Sequence, residues 1–358
     1  MKLEPERDGP VLSRVFDAYG WSPLQVRYIR GVLRVDTGDG VYSLKKSSAE
    51  PDHLSFLHEV FTKLRESGYD QVLPLEKTKS GDPFVKEEGG CWYAHPWYGE
   101  AAGRGDEVPP EKLIRDLARF HKLCEPLTAG RGKPDSPAVT AGLSRKKKAQ
   151  EQLKQWRNAV SEREFASPFE KAFLSHGEDI EKTASFAIQG LEKVGRSNGG
   201  KVPRITLIHG HLHPQNLLVG KEGWRWIDFD HAEAGSPVVD VAMFLRRFVP
   251  FDGDEVVDPF ALLEEYQTEN PLKEKERKLL ALHLAYPEPV IRTVSAYYNH
   301  PTGMEESSAV QRLEEELDRL RLFKGWVRTV WNTGKTSGRK KMASREAAAA
   351  VRSRSKKN

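Results

Sequence analysis

The sequence predicts an α+β chain in two parts: a small N-terminal antiparallel β lobe with one helix, then a larger, mainly helical lobe. Three observations predict it. Short apolar runs broken by turn residues fill Gln25 to Lys46. Apolar residues at three- and four-residue spacing dominate from Pro110 to Trp331. Only Arg204 to Val219 and Trp224 to Phe229 look like strands inside that helical half.

Taken in order, residues 1–24 form an N-terminal extension. It is charged from Lys2 to Asp8 and lacks the apolar stretch of a secretory signal, so the chain is expected to stay in the cytoplasm where it is made. The β lobe spans 25–100. Val26 to Ile29, Val32 to Val35 and Val41 to Lys46 read as a meander broken at Gly31 and at Thr37-Gly38-Asp39-Gly40. Asp52 to Glu66 follows as an amphipathic helix whose apolar face is Leu54, Leu57, Val60, Phe61 and Leu64. Gln71 to Lys77 and Pro83 to Glu87 add a further pair of strands, before the aromatic segment Cys91 to Gly99.

The helical lobe is expected over 101–333, beginning with a Gly- and charge-rich link, Ala101 to Glu107, and a helix from Pro110 to about Cys124. Further helices are predicted at Ser144 to Val160, Pro168 to Leu174, Asp179 to Val194, Val239 to Phe248, Pro259 to Gln267, Glu274 to Leu284, Pro289 to Tyr298 and Ser308 to Trp331. Arg145 to Lys148 reads as a solvated charge run on a helix face, and Asp240 as the N-cap of its helix.

Composition narrows the function classes. A chain of 358 residues with 38% hydrophobic and 30% charged residues can bury a sizeable core and remain in water. No apolar run approaches the roughly 20 residues needed to span a bilayer, so no membrane partner is expected. Two cysteines, Cys91 and Cys124, cannot form a disulfide framework or a four-thiolate zinc site. The net charge of +4 is concentrated in a basic tail, 334–358, where nine Lys and Arg face the single acid Glu346. Such a tail is expected to be disordered, serving either solubility or the capture of an anionic partner.

Chemistry concentrates in Ile205-Thr-Leu-Ile-His-Gly-His-Leu-His-Pro-Gln-Asn-Leu-Leu-Val219 and in Trp226-Ile-Asp-Phe-Asp230. These segments resemble the catalytic and metal-binding segments of the aminoglycoside/choline phosphotransferase superfamily, whose loop reads His-Gly-Asp-x-x-x-x-Asn before a strand ending in Ile-Asp-Phe/Trp. The resemblance implies a two-lobed, protein-kinase-like fold and an ATP- and Mg2+-dependent phosphotransferase. Phosphoryl transfer proceeds by positioning and by charge neutralisation, which calls for divalent metal on hard oxygen ligands. By resemblance, the loop 209–216 carries the metal-binding asparagine at Asn216, and the strand 226–230 carries the metal-binding aspartate at Asp228.

Lys45 ends the third strand, where kinase folds carry the lysine that contacts nucleotide phosphates. Strand alternation puts Ser43 and Lys45 on one face. The lysine's expected partner is Glu59, on the following helix beside Phe56. Two features depart from the pattern. Arg30-Gly31-Val32 lacks the Gly-x-Gly-x-x-Gly loop, and His211 occupies the position of the aspartate that would take the acceptor's proton. His209 precedes it in the same loop, and His209, His211 and His213 alternate in a way that also suits zinc.

Phe56 to Gly68, Leu117-Ala-Arg-Phe-His121, Ser236 to Arg247 and Ala285-Tyr-Pro-Glu-Pro289 before Tyr297-Tyr298 resemble the CotS-type spore-coat kinase-like proteins. That resemblance implies manufacture in the mother cell, deposition in the spore coat and contact of the basic tail with acidic coat proteins. Two functions stand open. One is a degenerate pseudokinase working as an assembly module; the other is an active ATP/Mg2+ kinase for an unknown small-molecule hydroxyl or amine, with His211 standing in for the base.

Overall fold

The computed structural model describes residues 5–101, 108–130, 137–197, 204–249, 258–299 and 305–332. The predicted basic tail and nearly all of the Ala101 to Glu107 link lie outside the described residues. The chain divides into two compact units, Met1–Pro109 with His209–Glu233, and Pro110–Ile208 with Ala234–Asn358. An antiparallel sheet dominates the first and helices dominate the second, as the α+β reading requires.

The first unit opens with a helix, α1 (Pro5–Tyr19), in the stretch read only as a charged extension. Val11, Val15 and Tyr19 recur at four-residue spacing, and Val15 and Tyr19 are buried against the sheet residues Leu33, Val35, Leu44, Trp92 and Ala94. The meander follows as β1 (Pro23–Ile29), β2 (Val32–Thr37) and β3 (Val41–Ser47). The helix α2 (Pro51–Glu66) buries Leu54, Phe56, Leu57, Val60, Phe61 and Leu64, the predicted face with one addition. β4 (Val85–Glu87) and β5 (Gly90–Pro96) complete a five-stranded sheet in the order β1-β2-β3-β5-β4, and β6 (Glu100–Ala101) ends this stretch.

Arg30 and Gly31 both have positive φ, 47° and 94°, so a two-residue turn joins Ile29 to Val32. The expected strand at Gln71 to Lys77 is absent. Val72 makes one isolated parallel bridge to Trp226, and Glu76 donates its N–H to the Ala94 carbonyl at 2.8 Å.

The second unit begins with α3 (Pro110–Cys124), whose predicted apolar residues Leu113, Leu117, Phe120 and Cys124 are all buried. α4 (Pro137–Ser161) and α5 (Pro168–Ser197) pack together. α5 is continuous where two helices were expected, because one glycine costs a helix only about 1 kcal/mol and Phe173 and Ile180 on either side of it are fully buried. Gly177 also makes room: a Cβ there would lie 2.7 Å from Arg157 Cδ. β7 (Thr206–Ile208) leads back into the first unit.

There β8 (Leu217–Gly220) and β9 (Gly223–Trp226) pair with each other, and β8 pairs with β6. The Trp226 N–H also bonds the Gln71 carbonyl at 2.7 Å. These bonds place residues 209–233, which the sequence reading assigned to the helical lobe, in the first unit. After β10 (Glu233–Gly235) come α6 (Val238–Arg247), α7 (Pro259–Glu269), α8 (Glu274–Ala285), α9 (Glu288–Asn299) and α10 (Glu306–Asn332). α8 is the buried centre, packed against α5, α6 and α10.

Asp240 is not the N-cap of α6. Pro237 holds that position, and Asp240, one turn in and fully buried, accepts from His121 Nε2 at 3.1 Å. The other ring nitrogen of His121 lies 2.8 Å from Tyr266 Oη.

Candidate functional site

Lys45 lies on β3 directly opposite Tyr93 of β5, and strand alternation puts Ser47 on the same face. These three side chains converge on two carboxylates. Lys45 Nζ is 2.5 Å from Asp228 Oδ1 and 3.1 Å from Asp230 Oδ2. Tyr93 Oη donates to Asp230 Oδ1 at 2.6 Å, and Ser47 Oγ donates to Asp230 Oδ2 at 3.0 Å. The carboxylates against the Lys45 ammonium are therefore those of Asp228 and Asp230, where Glu59 was expected. α2 turns Leu57, Val60 and Phe61 inward, which leaves Glu59 on its exposed side.

Asp228 follows β9 in a left-handed conformation, φ 66° and ψ 59°. A non-glycine residue held there marks a site over-determined by its surroundings. The clamp is the next residue: Phe229 is buried, meets Phe61 edge-on at 5.0 Å and lies 4.4 Å from the His209 ring.

The loop after β7 is braced from inside by His209. This residue is 1% exposed, its Nε2–H donates to the Ile227 carbonyl at 2.9 Å, and its Nδ1 accepts from the His211 N–H at 3.3 Å. Both ring nitrogens are thus occupied by backbone, which removes His209 from any metal set and gives it a bracing position. Gly210 has φ 73°, and a Cβ there would lie 2.3 Å from the His231 carbonyl, so only glycine fits. His213 caps the following turn, its Nδ1 accepting from the Gln215 N–H.

His211 is exposed, its ring 5.3 Å from that of His231. Its carbonyl accepts from Asn216 Nδ2 at 3.0 Å, an orientation that leaves the Asn216 amide oxygen for another partner.

Charge at the site is biased toward ionised carboxylate. Partial burial works to raise the Asp228 pKa, but the Lys45 ammonium, by charge and by hydrogen bond, holds it below the usual carboxylate range, with His209 and His211 adding to the effect. Burial and the neighbouring Asp230 push the Tyr93 phenol well up, so it remains a donor. Burial pushes His95, on the same strand as Tyr93, down to about 4.

The structure brings Lys45 and Asp228 together and sets His209, His211 and Asn216 in one loop. Asn216 and Asp228 supply the hard oxygens a magnesium ion prefers. Among the described residues no three His, Cys, Asp or Glu side chains form a metal cage. Mg2+ does not require one, since it is commonly held by one or two carboxylates together with substrate phosphates. Sequence reasoning missed Asp230, Tyr93 and Ser47 as members of this group. The signal for Ser47 was available, two residues beyond Lys45 on one strand; that for Tyr93 depends on the β3–β5 register, and that for Asp230 on the turn after β9.

Comparison with known proteins gives the family and the fold. Residues 21–274 match the family model described as "Phosphotransferase enzyme family" (APH). An aminoglycoside phosphotransferase from Alicyclobacillus acidocaldarius has a similar structure, with a TM-score of 0.73 at 17% identity over 93% of this chain and 98% of that one. A spectinomycin phosphotransferase, APH(9)-Ia, crystallised with ADP and spectinomycin, gives 0.61 at 14% identity over 88% and 98%. The amicoumacin kinase hAmiN, in complex with AMP-PNP, Ca2+ and Ami, gives 0.54 at 15% identity over 87% and 92%. No curated protein matches the sequence. With a kinase-like fold and a family match across most of its length, the chain belongs to the phosphotransferase enzyme family.

Proposed function

We propose that this chain binds ATP with Mg2+ in its first unit and is a degenerate phosphotransferase, weakly active or inactive because His211 stands at the position of the catalytic base. The observation that carries this reading is the pairing of a formed Lys45–Asp228–Asp230 group with an exposed imidazole in the loop. Structures of family relatives holding ADP, or AMP-PNP with Ca2+, support the choice of ligand.

Lys45 would neutralise phosphate oxygens, and the Tyr93 and Ser47 donors on Asp230 would hold that carboxylate so that Lys45 keeps its place. Asp228 and Asn216 would hold Mg2+, which when bound neutralises charge on the transferring phosphate. His211 can accept the acceptor's proton only as a neutral imidazole, and its ring does not reproduce the reach of a carboxylate. Losing a positioned base costs ~10²–10⁴-fold in rate. The two-residue turn at Arg30–Gly31 supplies no long glycine loop for wrapping phosphate, which also favours weak turnover. An unknown small-molecule hydroxyl or amine is the acceptor if turnover occurs.

By its resemblance to the CotS-type proteins, we assign the chain to spore-coat assembly as a binding module. Binding to acidic coat proteins that weakens with salt would support this assignment.

The test is a thermal-stability titration with ATP, with and without Mg2+. The expected result is a Mg2+-dependent rise in melting temperature that Asp228→Ala abolishes, and phosphate transfer that His211→Asp raises by at least 10²-fold. No nucleotide-dependent shift in the wild type would sink the nucleotide site, and high turnover in the wild type would sink the degenerate reading.

A further inference from the structure

β1 is an edge of the five-stranded sheet, with β2 as its one neighbour in that sheet. Its residues Leu24 to Tyr28 are exposed one after another, where a strand packed on one face alternates. Among the described residues six large hydrophobic side chains are exposed, and three of them stand on this strand: Leu24 at 78%, Val26 at 38% and Tyr28 at 45%. The register shows why. Val26 lies opposite Val35 and Tyr28 opposite Leu33, so these four side chains share one face of the sheet. Val35 and Leu33 are buried in the cluster that α1 covers, whereas Val26 and Tyr28 are open at the rim. The apolar face thus runs on past α1 to the edge.

The backbone is open in the same places. The two-residue turn makes Ile29–Val32 a hydrogen-bonded pair, and antiparallel alternation then turns the N–H and C=O of Arg27 toward β2 and those of Val26 and Tyr28 outward. Edge strands are commonly blunted by lysine, by proline or by a bulge. Here Pro23 and the bulge at Leu24 blunt only the start of the strand, and from Gln25 to Ile29 the ladder to β2 is regular. Such an edge is a template for another strand.

Charge decides which strand. An antiparallel partner with the sequence of β1 itself can be centred on Val26. That register sets Val26 against Val26, Gln25 against Arg27, and Leu24 against Tyr28 of the second copy. It brings outward-facing backbone groups together, continues the apolar face across the axis, and gives each Arg27 guanidinium a Gln25 amide oxygen to donate to. Within one copy the Asp36 carboxylate serves both Arg27, at 3.3 Å, and Arg34, at 2.9 Å, and the five donors of a guanidinium leave Arg27 some to spare for that oxygen. Centring on Arg27 instead would oppose two guanidiniums, and centring on Tyr28 would set Arg30 against Val26.

We propose that β1 is a homodimerisation edge: two copies of this chain pair β1 with β1, antiparallel, about a two-fold axis at Val26, and join their sheets into one. The contact is isologous, the same strand serving both copies. So short a ladder lies at the low end of interface sizes, and the dimer forms and dissociates with concentration. Nothing in this pairing depends on nucleotide binding or on His211.

Sedimentation velocity on the full chain from about 1 to about 100 μM, the range of a weak interface, should show a monomer–dimer equilibrium. Val26→Lys places two ammoniums opposite each other at the axis and should weaken the dimer at least about tenfold. Because Val26 also covers part of the core, Gln25→Lys, at an exposed position opposite Arg27 of the second copy, is the second variant; it should loosen the dimer with the circular dichroism of the monomer unchanged. Gln25→Glu, which puts a carboxylate there, should tighten it by about threefold. Hydrogen exchange reads the register: as concentration rises, the amides of Val26 and Tyr28 should gain protection, while that of Arg27, already bonded to β2, should not change. A chain that stays monomeric throughout overturns the proposal and leaves the edge to a strand from another protein. A dimer that neither Val26→Lys nor Gln25→Lys weakens, or that leaves the Val26 and Tyr28 amides as open as in the monomer, overturns it as well, since that dimer forms elsewhere.

Discussion

Asp230 receives donors from Ser47, Tyr93 and Lys45, and Lys45 spans from it to Asp228. A half-buried carboxylate stripped of one such donor loses a charge-assisted bond. Tyr93→Phe should therefore destabilise the protein by about 1–3 kcal/mol, read from urea unfolding, and should weaken ATP binding because Lys45 loses its brace. Unchanged stability and affinity would show that Ser47 and Lys45 hold Asp230 without it. Lys45 and Asp228 were singled out in the sequence because each lies near the end of a strand-like run in a motif whose chemistry calls for that residue type. Their direct pairing was not legible, because the two residues are 183 positions apart, on and beside strands of different sheets, and a single sequence does not display that tertiary contact. His209 shows the same limit. Its loop position was legible, but its bonds to Ile227 and His211, which make it a brace, were not.

Among the elements, α1 shows how composition can mask a period. Lys2 to Asp8 set the tone of the N-terminus, and Gly9 and Pro10 argue against a helix, yet Val11, Leu12, Val15, Phe16 and Tyr19 keep a helical repeat that the sheet requires. Val15 is 0% exposed, packed in the cluster with Leu33, Val35 and Leu44. Val15→Ala should cost about 2 kcal/mol through the cavity it leaves. Hydrogen exchange should show the loss first in β2 and β3, whose inner face α1 covers. Protection lost only within α1 itself would mean the helix is an appendage. α5 differs in the other direction: two helices were expected, Pro168 to Leu174 and Asp179 to Val194, and one continuous helix, buried on both sides of Gly177, is found. α4 begins at Pro137, seven residues before the expected Ser144, whereas α3 and α6 to α10 were legible within a few residues.

On the scale of the whole molecule, each compact unit holds a histidine whose protonation burial strongly disfavours, and both contribute to how stability responds to acid. His95, in the first unit, donates Nδ1–H to the Pro74 carbonyl at 2.7 Å and is pushed down to about 4, chiefly by burial. His283, in the second, is pushed down to about 3 by burial and its cationic neighbours. In the unfolded chain both titrate near about 6.5. Between that value and the folded ones the unfolded state binds protons that the folded state refuses. Their contribution is therefore fully present above about pH 6.5 and is lost as pH falls through the folded values, with a limiting slope of about 1.4 kcal/mol per pH unit for each histidine. Asp228 acts lower on the scale: its folded pKa is depressed, so its contribution is present above the ordinary carboxylate pKa and is lost only below it. Urea unfolding at pH 7 and pH 5 should show a marked loss of stability at pH 5. His95→Asn, which keeps a donor for Pro74, should reduce that loss in the transition of the first unit, and His283→Asn should do so in the transition of the second. If the two units unfold in one transition, the double variant should flatten the dependence by the sum of the two effects. A pH 7 to pH 5 loss equal to wild type in both single variants would mean that neither histidine is held neutral, and that the acid response of the fold comes from its carboxylates.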